Sequence, residues 1–386
     1  MPKLNPEVEA FARIKVVGIG GAGGNALNHM VNSKVRGIEF LAMNTDTQDL
    51  HSSLGSKKIH LGKNLTKGLG AGMDPDIGKR SAEEARGEIE DALKGADMAF
   101  ITAGMGGGTG TGAAPTIARI AKEQGILTVG VVTKPFFFEG SQRMKIAERG
   151  LEELEKEVDA LIVIPNDRLL SVIEKGTTLK SAFAACDEVL RQAVEGISEL
   201  ITVPGIINVD FADIKAVISD TGPALIGIGR ATGDSRATEA AVAAINSPLL
   251  DISIQGAKGL LFVIAGDENM SMHEVQDAAK VVTESVDKDA KVIFGAIRDE
   301  RLKKGEIKLT VVASGFPANS PRKSLFQLGG TPAREERREE KKEVHAPPSE
   351  AVKKPAEKKE RELVLDDVGE SEEWNAIPAF LRRGKK

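Results

Sequence analysis

Gly104-Met-Gly-Gly-Gly-Thr-Gly-Thr-Gly112 is the stretch that decides the fold. It follows an apolar run, Ala96-Asp-Met-Ala-Phe-Ile-Thr-Ala103, which reads as a buried strand. It precedes Ala113-Ala-Pro-Thr-Ile-Ala-Arg-Ile120, which reads as a helix. Strand, glycine loop and helix start make a geometry that binds phosphate. Without side chains the backbone comes within hydrogen-bond reach, and the N–H groups of the first helical turn point at the anion. A flexible linker would have similar composition, but a linker is not wedged between an apolar strand and an apolar helix.

Outward from this loop the same alternation continues. Strands are expected at residues 13–17, 37–43, 96–103, 126–133 and 160–165, with helices at 25–31, 81–93, 113–123 and 141–158. Strands that are apolar throughout and separated by helices imply a parallel sheet covered on both faces. This α/β unit fills residues 12–175. One long helix follows over residues 178–200, with Phe183, Cys186, Val189, Leu190, Ala193, Val194, Ile197 and Leu200 at spacings of three and four. A helix of that length can connect two domains. A loop at 203–210 and a helix from Asp213 come next. Strands at 260–264, 291–297 and 307–314 with helices at 236–245 and 273–286 then make a smaller mixed α/β domain. The expected division is a Rossmann-like parallel-sheet nucleotide-binding domain at 12–175, a connecting helix at 176–203 and the smaller domain at 204–317.

Beyond residue 317 the composition changes. Residues 333–362 carry ten Lys/Arg and nine Glu with almost no large apolar residue. Such a stretch buries too little surface to offset chain entropy, so a disordered linker is expected at 318–362; part of it has the composition of a solvated helix. Leu363, Leu365, Trp374, Ile377, Phe380 and Leu381 then return before the basic end Arg382-Arg-Gly-Lys-Lys386. Apolar anchors after a tether read as a docking peptide at 363–386.

The 386 residues carry a formal net charge of −5, which argues against a general nucleic-acid binder. No apolar run approaches the length of a membrane span, and the start Met1-Pro-Lys-Leu-Asn-Pro-Glu7 does not read as a signal peptide, so a cytoplasmic protein is expected. Cys186 is the single cysteine and reads as a small residue on a helix face. The five histidines lack paired zinc spacing.

A second glycine loop, Gly18-Ile-Gly-Gly-Ala-Gly-Gly-Asn25, matches G-x-G-x-x-G at Gly18, Gly20 and Gly23, and Asp46 stands where a ribose-binding acid of a dinucleotide site would. Taken alone this loop favours an NAD(P)-dependent oxidoreductase. Against that, a third loop, Gly68-Leu-Gly-Ala-Gly72, is present, and several loops around one ligand suit a triphosphate better. The long helix shows no acid/base pair, and G-x-x-x-x-G-K-[ST] is absent. In Asn208-Val-Asp-Phe-Ala-Asp213 two carboxylates and an amide meet a helix start. They can hold a water or a metal shell against a γ-phosphate, or simply cap the helix; both readings stand at this level.

Gly106-Gly-Gly-Thr-Gly-Thr-Gly112 resembles the signature of the tubulin superfamily. With Gly20-Gly-Ala-Gly-Gly-Asn25, Asn44-Thr-Asp46, Pro135-Phe-Phe-Phe-Glu-Gly140, Ile164-Pro-Asn-Asp167, Asn208-Val-Asp-Phe-Ala-Asp213 and Ile377-Pro-Ala-Phe-Leu-Arg-Arg383, the chain is similar to the prokaryotic cell-division (FtsZ) family within it. The resemblance runs over residues 12–317 and resumes at 377–383. It departs at Ala22, where the family often has another glycine.

What the resemblance implies is specific. The first domain would bind GTP. Gly20, Gly21, Ala22, Gly23 and Gly24, with Gly104, Gly106, Gly107, Gly108, Thr109 and Gly110, would cradle the phosphates, and Ala71 and Gly72 would lie near the γ-phosphate. Glu139 and Arg143 would contact the ribose. Asn25, Asn166 and Asp187 would read guanine, with Phe183 against the base. A carboxylate accepts from guanine N1–H and N2–H₂, which adenine cannot supply, so Asp187 should select GTP over ATP. Asn208, Asp210 and Asp213 would complete hydrolysis in the site of the next subunit, with Mg²⁺. The contact is then heterologous and builds open head-to-tail filaments. The expected protein is a GTPase that forms the ring scaffold at the division site. Its tail would dock membrane-tethering and regulatory division proteins, and its basic end would add a weak attraction to anionic lipid. A filament of the same superfamily that serves cell shape or plasmid partition is the neighbouring reading, against which the terminal peptide speaks.

Overall fold

The computed structural model describes residues 12–170, 177–203, 205–247, 253–299 and 301–316. The expected linker at 318–362 and docking peptide at 363–386 lie outside the described residues, as does the start of the chain.

The first half follows the alternation read from sequence: β1 (Ile14–Ile19), α1 (Gly20–Asn32), β2 (Ile38–Asn44), α2 (Thr47–Ser52), β3 (Lys57–His60), α3 (Lys63–Thr66), α4 (Pro75–Glu84), α5 (Arg86–Leu93), β4 (Met98–Gly104), α6 (Thr109–Glu123), β5 (Leu127–Lys134), α7 (Ser141–Glu157), β6 (Ala160–Pro165) and α8 (Asn166–Leu170), with strand β3 and the short helices α2, α3 and α8 in addition to that reading. The long helix is α9 (Leu179–Thr202). The second half comprises α10 (Phe211–Ile218), β7 (Gly222–Thr232), α11 (Arg236–Ile245), β8 (Gly259–Gly266), α12 (Met272–Thr283), β9 (Lys291–Arg298) and β10 (Glu306–Ser314).

The ten strands of the described residues form one sheet in the order β3-β2-β1-β4-β5-β6-β7-β10-β8-β9. The first six are parallel, and period-2 alternation divides their side chains between two cores. Val16 and Phe100 face the layer of α1 and α9, whereas Val17 and Ile101 face that of α4–α7. The α1/α9 layer continues into the second half, where Ile226, Leu261 and Val312 join the same apolar cluster. A third cluster packs α11 and α12 on the other face of β8 and β10.

Four departures from the sequence reading have physical causes. Helices α1 and α6 start at Gly20 and Thr109 rather than at Asn25 and Ala113, so each glycine loop is itself the first helical turn. The helix expected over 81–93 is two helices, broken at Ala85 and begun earlier, at Asp74-Pro75, where an aspartate cap and a proline at the first helical position set the start. Helix α10 starts at Phe211, before Asp213, because Asp210 caps it. Strand β7 was not anticipated: Gly222-Pro-Ala-Leu-Ile-Gly-Ile-Gly-Arg-Ala-Thr232 looks like a loop by its glycines and proline. Its Gly229 is required by packing, since a Cβ there would stand 2.0 Å from Ala240 O of α11. This strand joins the two halves, pairing parallel with β6 over residues 222–224 and antiparallel with β10 over its remaining length.

Candidate nucleotide site

In the first six strands the order 3-2-1-4-5-6 reverses between β1 and β4. Ligands of such sheets bind beyond the carboxyl ends of the strands at that switch point. Both main glycine loops leave from there. They line a cleft of about 280 Å³ with the ends of β5 and β6 and the first turns of α9. Neither α1 nor α6 has a side-chain cap or an acidic residue in its first turn. By contrast α4 is capped by Asp74 and α12 by a Ser271/Glu274 capping box. The first N–H groups of α1 and α6 therefore remain for an anion, and both helix dipoles favour one.

The glycines divide by task. Those at 20, 21 and 107 face the cleft. Gly23 permits close packing instead, since a Cβ there would meet Thr102 O at 2.4 Å; Gly110 both lines the cleft and packs closely, with Gly104 O 2.7 Å from the place of its missing Cβ. Gly108 lines the cleft and also supports the third loop, with Ala71 Cβ at 2.8 Å from the place of its missing Cβ. Thr109 shares a 2.6 Å hydrogen bond between hydroxyls with Thr45, a partner the sequence reading missed although it lies within the quoted Asn44-Thr-Asp46. Asp49 was missed too; its Oδ2 would stand 3.0 Å from a Cβ on Gly21.

At the other end of the cleft are Glu139, Arg143, Asn166, Phe183 and Asp187. Glu139 and Arg143 form an ion pair one helical turn apart, and Glu139 Oε1 also accepts from Phe136 N–H at 3.0 Å. Phe183 meets Phe136 edge-on, with centroids 5.3 Å apart, and is 41% exposed, so one face stays open for a flat ligand. Asn166 Oδ1 is buried without a hydrogen-bond partner. Among the described residues none donates a hydrogen bond to Asp187; burial pushes its carboxyl up to about 6, against the pull of His29. An orphaned amide oxygen and a partly desolvated carboxylate are acceptors in want of donors, and a guanine edge supplies donors. Burial, and next the charge of Asp187, push the Cys186 thiol up to about 12, so it is no nucleophile.

Not every expected residue joins this cleft. Asn25 is exposed and lines a hollow of about 10 Å³ behind the first loop, with Asn28, Asn44, Asp49 and Ser53. Gly24 lines the same hollow. Gly106 and Gly72 take positive φ at the loop bends, and a side chain at Gly72 would meet open space. Asp46, the candidate ribose acid of a dinucleotide site, caps α2 through Gln48 N–H at 2.9 Å and Asp49 N–H at 3.2 Å.

Asn208, Asp210 and Asp213 are exposed and lie elsewhere. Helix α9 has 24 residues, a length of about 36 Å. Its first turns line the cleft at the carboxyl edge of the sheet. At its end Thr202 fills the space above Gly37, immediately before β2, at the amino edge. Helix α10 then leads into β7, whose first residue pairs with the first residue of β6. The loop with the acids thus stands at the opposite edge of the sheet from the cleft. There Asp210 caps α10 through Ala212 N–H at 3.2 Å, and Asn208 Oδ1 accepts from Gly205 N–H at 2.6 Å.

A switch-point cleft with uncapped helix starts at one end and unclaimed acceptors at the other belongs to a nucleotide-binding protein. Comparison with known proteins narrows the class. Residues 13–174 match the family model of the Tubulin/FtsZ family GTPase domain, and residues 222–317 that of the FtsZ family C-terminal domain. An FtsZ dimer structure from M. jannaschii is 47% identical, covering 79% of this chain and 88% of that one, with a TM-score of 0.76. CetZ2 from Haloferax volcanii, solved as a GTPγS-bound protofilament, is 23% identical over 81% of this chain and 96% of that one, with a TM-score of 0.68. CetZ1 of the same organism, a GDP-bound monomer, is 23% identical over 82% and 97%, with a TM-score of 0.67. The two CetZ structures share the fold. The chain belongs to the FtsZ family of the tubulin superfamily, and it is a GTP-binding GTPase.

Proposed function

We propose that this GTPase assembles head to tail and hydrolyses GTP at the joint between subunits, forming the ring scaffold at the division site. The observation that carries this reading is the separation along α9. Nucleotide groups gather at one edge of the sheet, while Asn208, Asp210 and Asp213 gather at the other, so a chain's own acids do not reach its own cleft. A second subunit stacked with its acid edge on the cleft would bring them to the γ-phosphate. Such a contact joins unlike surfaces and does not close on itself, which builds filaments.

Within the joint the residues divide the work. The first turns of α1 and α6 hold the phosphates by backbone N–H groups, with Thr109 adding a hydroxyl and Ala71 and Gly72 bordering the γ-phosphate. Glu139 and Arg143 take the ribose. Asp187 and Asn166 read guanine with Phe183 against the ring, while Asn25 stands in the hollow behind the first loop. The partner's acids hold water for attack, Asp210 and Asp213 polarising it and Asn208 orienting it. Among the described residues no three carboxylate, imidazole or thiolate groups cluster as a metal site. Mg²⁺ would ride on the substrate phosphates, which can hold it with few protein ligands. When bound it neutralises charge developing on the phosphates. The segment 363–386 would dock membrane-tethering and regulatory division proteins through the linker 318–362. That arrangement places the filament under the membrane, although no described helix is long and apolar enough to cross one.

The test is phosphate release from GTP across a protein dilution series with Mg²⁺. Specific activity that climbs steeply above a threshold concentration supports a site formed between subunits. Activity constant per subunit would place all the hydrolytic groups in one chain and end the reading.

A further inference from the structure

Outside the nucleotide cleft, a dense cluster of charged side chains lies at the far end of α9. Glu195, with a side chain 2% exposed, receives Arg191 Nη1 at 2.5 Å and Lys308 Nζ at 3.6 Å. Arg301 enters from the β9–β10 connection. Its Nη1 reaches Glu195 Oε1 at 2.6 Å, its Nη2 reaches Glu199, and its Nε reaches Asp299 Oδ1 at 2.8 Å. Arg191 and Lys308 already neutralise Glu195, so the partner that Arg301 alone bonds on α9 is Glu199. Burial pushes Glu199's carboxyl above its ordinary value despite Lys308 and Arg301 nearby, so its hold on the corner depends on the guanidinium.

Glu199 stands one turn before the loop with the acids. The corner that supplies Arg301 also grips that loop directly. Ile206 N–H donates to Ala296 O at 2.8 Å, and Ala296 N–H donates to Ile207 O at 3.2 Å. Strand β9 therefore fixes the register of the loop, and Arg301 fixes the helix end from which it springs.

We propose that Arg301 is a positioning residue for hydrolysis: by clamping the last turns of α9 to the β9–β10 corner it sets the loop bearing Asn208, Asp210 and Asp213. Resting on the between-subunit reading above, it follows that Arg301 acts on the neighbour's GTP and leaves GTP binding in its own cleft alone. A guanidinium bonded to three carboxylates has no equivalent in lysine, so Arg301→Lys should rescue only in part.

The test is complementation in mixed filaments of full-length protein. Arg301→Met should bind GTP within about twofold of the parent, while its turnover falls on the order of 10²-fold, the scale of a small misplacement at a reacting site. Mixed with Asp187→Ala, which has a damaged cleft and an intact acid loop, it should regain turnover, because its GTP then meets a sound loop. Mixed with Asp210→Ala it should not. Weakened GTP binding by Arg301→Met, or no rescue by Asp187→Ala, would overturn the proposal. The control mixture of Asp210→Ala with Asp187→Ala separates the two ideas, since failure there strikes the between-subunit reading itself. If Arg301→Met does not fold, Glu199→Gln takes its place in the same mixtures with the same outcomes.

Discussion

The two ends of α9 are built on opposite rules. At the first, among the described residues, Asp187 accepts no hydrogen bond and Asn166 Oδ1 is buried without a donor. At the last, Glu195, Glu199 and Asp299 are each bonded to arginine. Between them Glu188 marks the change. Burial opposes its charge, but hydrogen bonds from Arg191, His29 and Gln192 outweigh burial and hold it at about 2. Buried polar groups in a folded protein nearly always have partners, so an end that lacks them is arranged for a ligand, and an end that is saturated is arranged for rigidity.

The sharpest way to break this contrast is Asp210→Asn. Asparagine still caps α10, so stability should hold. Turnover should drop on the order of 10²–10³-fold, as when one preorganised catalytic group is removed. Isothermal titration should show GTP affinity unchanged; a tenfold loss of affinity would mean that the acids serve the chain's own cleft. Next in size, Asp187→Asn should cut the preference for GTP over ATP about 10²-fold, because one of the two buried acceptor oxygens matched to guanine's donors becomes an N–H₂ donor that faces them. Competition binding with the two nucleotides measures it, and an unchanged preference would remove Asp187 as the base reader.

The same substitution has a smaller consequence with a defined sign. The carboxyl of Asp187 lies above its ordinary value in the folded state, near 6, so its proton binds more tightly folded than unfolded. Its favourable contribution is full below the unfolded value and is lost as pH rises through about 6. Without nucleotide, Asp187→Asn should therefore melt about 2 °C higher at pH 7.5, a shift kept small by partial solvent exposure, and the gain should shrink toward pH 4. No gain at pH 7.5 would show that this end of α9 carries no strain awaiting a ligand. The smallest effect concerns a residue outside both ends. Asp46→Ala should cost about 1 kcal/mol in urea unfolding through loss of the α2 cap and leave nucleotide choice untouched.

Much of this was legible in the chain. The glycine loops announced a phosphate site because glycine between an apolar strand and an apolar helix has few other uses. The approximate positions of the first six parallel strands, except β3, followed from their continuous apolar runs. Other features were not legible, for identifiable reasons. Strand β7 was masked by Gly222, Pro223, Gly227 and Gly229, at least one of which serves contact with α11. Asp46 reads as a ribose acid in the sequence although it caps α2, because a helix cap and a ribose acid are the same residue type at the same place after a strand. The value of Arg301 was invisible, since it lies 106 and 102 positions from Glu195 and Glu199 and only the fold brings it to them.

By itself, then, the sequence determined the class of ligand, the alternating half of the fold and the family resemblance, because these rest on local pattern: period, glycine placement and short motifs. Tertiary structure alone decided which glycines face the cleft and which ones pack. It also decided that Asp187 would be left without a donor while Glu195 has three cations, and that the acids would stand at the far edge of the sheet from the nucleotide. Those outcomes depend on distances between residues remote in the chain and on how deeply each is withdrawn from water, quantities that exist only once α9 has packed on the sheet.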